Sequence, residues 1–179
     1  MRVFQLAVQY REFRQSRRLA CAICATVFLA VATLSAAEPP VTATVFAPGG
    51  ETVIVGSQAG LVIYQWPRLE QLRVLETQLV SIHDLAFSPD GRILAAGGGS
   101  PSEEGQVELL SWPNGVSRGV LSGHEDSVTA VAWSDDDKLA TASLDHTIAV
   151  WDLKTRKVVQ RLNGHSKGVT TLSFLEDGT

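Results

Sequence analysis

Residues 127–143, "SVTAVAWSDDDKLATAS", decide how this chain folds. An alternating apolar stretch runs to Trp133, a polar turn follows, and a second short apolar stretch runs from Leu139 to Ser143. A period of two marks strands with two distinct faces, so the segment is a hairpin. The same order returns in "SIHDLAFSPDGRILAAG" from Ser81, in "PVTATVFAPGGETVIVG" from Pro40 and in "GVTTLSFLEDG" from Gly168. The aromatic residues that end the first stretch, Phe46, Phe87, Trp133 and Phe174, are 41, 46 and 41 residues apart, and regularity on that scale identifies an internal repeat.

In the third unit the hairpin is followed by "HTIAVWDL" and "KVVQRLNG" across the polar turn "KTR". Four strands in roughly 41 residues leave no room for crossover helices, so each unit is an antiparallel meander. A small sheet cannot bury two apolar faces alone and must stack on its neighbours; stacking around an axis gives a β-propeller. The expected fold is all-β, a propeller of four-stranded antiparallel blades over about 40–78, 79–122 and 123–163, with a partial fourth at 164–179. Propellers close with about 4 to 8 blades. The sequence is therefore expected to be an incomplete propeller, the N-terminal part of a longer product or a truncated reading frame, with open blade faces prone to self-association.

The first 37 residues are of another kind. Arg11, Arg14, Arg17 and Arg18 precede "LACAICATVFLAVATL", 16 residues without a charge, and "SAAEPP" follows with small residues before Glu38. Basic, apolar and small-residue regions in that order make 1–37 a signal peptide, with the chain from 38 onward periplasmic or extracellular. If uncleaved, this segment is the chain's only expected link to a membrane, although it is shorter than the about 20 apolar residues that comfortably span one. Cys21 and Cys24 both lie within it, so the exported chain is expected to have no disulfide. Without Arg2, Arg11, Arg14, Arg17, Arg18 and Glu12 the chain keeps 10 basic and 18 acidic residues, net −8. Nucleic acid is excluded as a partner on that balance. With 45% apolar and 19% charged residues, the chain has the composition to pack a core.

Three stretches carry a family likeness: "GHEDSVTAVAW", "LATASLDHTIAVWD" and "GHSKGVTTLSF" hold Gly-His and Trp-Asp elements in order. They resemble WD40 repeats over about Val41 to Thr179, most closely in the third unit. The earlier units place Tyr64 and Leu110 at the Trp151 position and end instead in "YQWP" and "LSWP". The resemblance implies a structural tetrad of His124, Thr141 or Ser143, Asp145 and Trp151. In it, carboxylate, imidazole, hydroxyl and indole satisfy one another's hydrogen bonds. It also implies a non-enzymatic scaffold that binds other proteins. The alternative is the docking or sensory segment of a larger periplasmic enzyme or c-type cytochrome, its catalytic domain beyond residue 179.

No catalytic, cofactor or metal residue is expected. Asp145 and His146 are adjacent on a strand turn and point oppositely, "GHEDS" lacks a nucleophile setting, and His124 and His165 hold equivalent places in successive units. "SDDDK", Ser134 to Lys138, has too few spaced oxygens for calcium and reads as a solvated turn. Candidate interaction residues are Trp66 and Trp112, each before a proline and more readily read as packing at a strand end, and separately Ser102, Glu103 and Glu104 of the second unit's five-residue insertion.

Overall fold

The hairpins predicted for the first three units are present, and the strands that follow complete three sheets. A computed structural model describes residues 39–135 and 137–174. The signal-peptide reading of 1–37, with Cys21 and Cys24, lies outside the described residues. The first sheet comprises β1 (Val41–Phe46), β2 (Thr52–Ser57), β3 (Gly60–Gln65) and β4 (Glu70–Leu75). The second comprises β5 (Ile82–Phe87), β6 (Ile93–Gly98), β7 (Gly105–Ser111) and β8 (Val116–His124). The third comprises β9 (Val128–Asp135), β10 (Lys138–Ser143), β11 (Ile148–Asp152) and β12 (Lys157–Leu162). In every sheet sequence order is spatial order, and all neighbours are antiparallel. No helix long and apolar enough to cross a membrane occurs among the described residues.

The register aligns the units residue by residue. Val53 of the first sheet, Leu94 of the second and Leu139 of the third pair backward with Phe46, Phe87 and Trp133, and forward with Tyr64, Leu110 and Trp151. The innermost strand pairs share an irregularity at the same place in all three sheets, at Thr42, His83 and Thr129, each skipped between two paired neighbours; the third sheet has a second, at Ser134. A bulge of this kind frees a residue to reach sideways. The Thr42 hydroxyl donates to Ile82 O of the second sheet, and that of Thr129 donates to Val169 O. Between the second and third sheets the bulge residue is His83, whose Nε2 meets Gly99 O at 3.1 Å instead. There the lateral link is made by Asp84, whose Oδ2 accepts from Val131 N at 2.8 Å, and by Trp133, whose Nε1–H donates to Ala86 O at 3.1 Å.

Apolar side chains between the sheets form the core. Ile54, Leu61 and Ile63 meet Ile82, Leu85, Leu94 and Leu110 between the first and second; Ala95, Val107, Leu109 and Leu121 meet Val128, Val131, Leu139 and Trp151 between the second and third. Full burial of each such aliphatic side chain stabilises by about 1.5–3 kcal/mol. The approach is close: a Cβ on Gly97 would lie 2.7 Å from Val131 Cγ1. Residues 164–174, expected to begin a fourth unit, form no strand. Val169 nevertheless packs on Ala130 and Ala142, and its N–H donates to Ser143 O at 2.9 Å.

Candidate functional site

His124 ends β8, the outermost strand of the second sheet, and pairs there with Gly105. Its side chain crosses to the third sheet. Nε2 lies 2.7 Å from Thr141 Oγ1 on β10, and Nδ1 lies 2.8 Å from Asp145 Oδ2 in the β10–β11 turn. Trp151 Nε1–H on β11 donates to Thr141 Oγ1 at 2.9 Å. His124, Thr141 and Trp151 are 2%, 0% and 3% exposed, so none can find water as a substitute partner.

Burial holds the His124 imidazole below its ordinary value of 6.5, against the opposing pull of Asp145. A neutral ring fixes the direction of every bond. Nδ1–H donates to Asp145, Nε2 accepts from the Thr141 hydroxyl, and the Thr141 oxygen accepts from the indole. Burial also pushes the Asp145 carboxyl up, but hydrogen bonds from the Thr147 hydroxyl, His124, Thr147 N and Glu125 N together hold it at about 2. Four donors thus satisfy one carboxylate, with Arg161 Nη1 at 3.9 Å beyond them. A turn this saturated ties three strands together and offers no lone pair to a substrate or metal.

Ser143, the other hydroxyl considered for the tetrad, serves the turn. It donates to Asp126 O at 2.7 Å and accepts from Asp145 N at 3.0 Å, without touching His124 or Trp151. His146 is exposed, with φ 70°. Two of the "SDDDK" carboxylates are engaged too: Asp135 accepts from Asp137 N at 2.9 Å, and Asp137 pairs with Lys154.

One buried acid was missed in the sequence. Glu108 of β7 is 1% exposed and accepts from the Thr77 hydroxyl at 2.7 Å, Gln78 N at 2.9 Å and the Ser117 hydroxyl at 2.6 Å. It ties the β4–β5 loop to the second sheet, as Asp145 ties the β8–β9 loop to the third. The available signal was a charge inside "QVELLSW", a strand otherwise built for burial.

The candidate interaction residues fall into two groups. Successive turns of an antiparallel meander fall at opposite ends of the sheet, so Trp66 and Trp112, in the β3–β4 and β7–β8 turns, lie at the end opposite Ser102, Glu103 and Glu104 in the β6–β7 loop. Both tryptophans pack edge-on against their own sheet's aromatic, Trp66 on Phe46 and Trp112 on Phe87, each with ring centres 5.3 Å apart. Ser102, Glu103 and Glu104 are exposed, and Ser102 N donates to Asp126 Oδ1 at 2.9 Å.

With this geometry in view, the family model described as "WD domain, G-beta repeat" matches residues 69–107, 115–152 and 156–179. Each match starts at or near an outermost strand, and the first two run into the next sheet, so the sequence repeat is offset by one strand from the sheet. His124, Thr141, Asp145 and Trp151 all fall within the second match. A WD repeat-containing protein of Arabidopsis thaliana, VIP3, is 32% identical over 114 residues, 58% of this chain and 36% of the relative. The transcription factor unc-37 of Caenorhabditis elegans is 31% identical over 115 residues, 63% of this chain and 18% of the relative. The chain thus spans about a third of the plant protein's length and less of the nematode protein's. A solved structure of RRP9 WD40 repeats superposes with a TM-score of 0.66 at 20% identity, covering 75% of this chain and 42% of that one.

Proposed function

The chain belongs to the WD40 repeat family, and we propose that it is a non-enzymatic platform on which other proteins dock, exported from the cytoplasm. The carrying observation is that the one motif rich in acid–base groups is spent on the fold: Asp145 and His124 are saturated by Thr141, Thr147 and Glu125 N. What remains for recognition is surface, above all the exposed Ser102, Glu103 and Glu104 of the lengthened β6–β7 loop. That loop lies at the same sheet end as the β8–β9 and β10–β11 turns, so its position is anchored from below by Asp126. Support for export is the basic, apolar and small-residue order of residues 1–37.

One preparation tests both parts. The chain is recovered from the compartment outside the cytoplasmic membrane, its N-terminus is sequenced, and its neighbours are cross-linked beside those of a Ser102→Ala, Glu103→Ala, Glu104→Ala variant. The expected result is a mature chain starting at Glu38 and a defined partner that the variant captures less. Retention inside the cell would contradict export. Partner capture unchanged by the variant would remove the loop from recognition.

A further inference from the structure

The two joints between the sheets have equivalent positions but are filled differently. At the joint of the second and third sheets, Arg156 Nη2 donates to Arg118 O at 2.5 Å, and Arg161 donates to Gly123 O at 2.8 Å and to the Thr147 hydroxyl at 3.0 Å. The strand register places Gly115 and Val120 at these positions in the second sheet. Neither can fill the joint with the first sheet. Gly115, at φ 71°, has no room to gain a side chain, since a Cβ there would lie 2.4 Å from Leu75 Cδ2.

A cleft of about 590 Å³ remains, within the size range of sites that take a side chain or small ligand. Glu108 forms its buried acidic wall. Among the described residues no cationic group lies within ion-pair distance of that carboxylate, whereas Asp145 at the other joint has Arg161 at 3.9 Å. Burying a charge with hydrogen bonds but no counter-ion leaves a field that attracts a cation. Ser117 and Thr77 bring hydroxyl oxygens to the same wall, and each can also accept from an incoming N–H. Val74 and Val116, 56% and 61% exposed, line the cleft with apolar surface. Arg73 closes the lower end, its guanidinium turned onto the carbonyls of Pro113 and Asn114.

We propose that this cleft receives an arginine or lysine side chain of a partner protein, the cation meeting Glu108 and the methylene stem lying along Val74 and Val116. The assignment rests on the docking-platform reading and names the chemistry of one contact within it. Charge complementarity selects this occupant: a stem-and-cation side chain matches an apolar entrance over a buried acid.

The full chain is titrated with the capped tripeptide Ala-Arg-Ala and with the same peptide carrying citrulline, neutral and of like shape, in place of arginine. The arginine peptide is expected to saturate and to bind at least about tenfold more tightly than the citrulline peptide. Glu108→Gln should remove that preference. Val120→Arg, which sets a guanidinium directly across from Glu108 as Arg161 is set in the third sheet, should abolish binding and raise the melting temperature, so the assignment stays testable if Glu108→Gln fails to fold. Equal binding of the two peptides, absence of binding, or full binding by folded Val120→Arg would overturn the assignment. If cross-linking still captures a partner in that case, the platform reading stands and the cleft alone is wrong.

Discussion

The joint between the second and third sheets and the joint between the first and second meet the same demand with different chemistry. Both must satisfy the polar groups of a loop that leaves one sheet's outermost strand and enters the next sheet's innermost. At the later joint a relay from Trp151 through Thr141 and His124 ends on Asp145. At the earlier one Glu108, projecting from a strand and not a turn, takes the loop directly through Thr77 and Gln78 N. The relay excludes water, while the glutamate borders a cleft. A repeat can therefore lose its motif and keep its mechanics, provided some buried acceptor reaches the same loop.

The largest consequence concerns removal of each acid. Asp145→Ala strands the His124 N–H where no water reaches, a loss of about 2–4 kcal/mol. Glu108→Ala frees two hydroxyls that can turn toward the cleft, a loss of about 1–2 kcal/mol. Denaturant unfolding of the two variants measures both, and an equal or reversed order would break the contrast between a sealed joint and an open one.

Acid titration sharpens the same contrast. His124 is held below its unfolded value of 6.5, so the unfolded chain takes up the proton first and stability declines as pH falls below 6.5. Asp145 is at about 2 against 3.8 unfolded, so its contribution, about 2 kcal/mol, is complete above pH 3.8 and is lost as pH falls toward 2. Melting curves across this range should lose the upper part of the decline in His124→Gln and much of the lower part in Asp145→Asn. Unaltered pH profiles would place the titrating groups elsewhere.

The sheets and the sealed joint were legible because their signals are local or periodic. Phe46, Phe87 and Trp133 recur at the spacing of a repeat, and His124, Thr141, Asp145 and Trp151 lie within 28 consecutive residues of its best-kept copy. The charge of Glu108 inside a strand built for burial was legible, but its partners were not, because they come from a loop 30 residues earlier that follows no pattern. The link of Asp84 to Val131 N, across 47 residues, was hidden for the same reason. The separation of Trp66 and Trp112 from residues 102–104 follows from counting turns along the meander, which sets the two groups at opposite sheet ends.

Amide hydrogen exchange in Thr141→Val tests most directly whether the His124–Asp145 constellation is a clasp between sheets. The substitution keeps shape and removes only the hydroxyl that links His124 to Trp151. The account predicts faster exchange on both sides of the joint, at the end of β8 through Gly123 and His124 and along β10 and β11, with β2 and β3 of the first sheet unchanged. Faster exchange confined to the third sheet, or none at all, would contradict it.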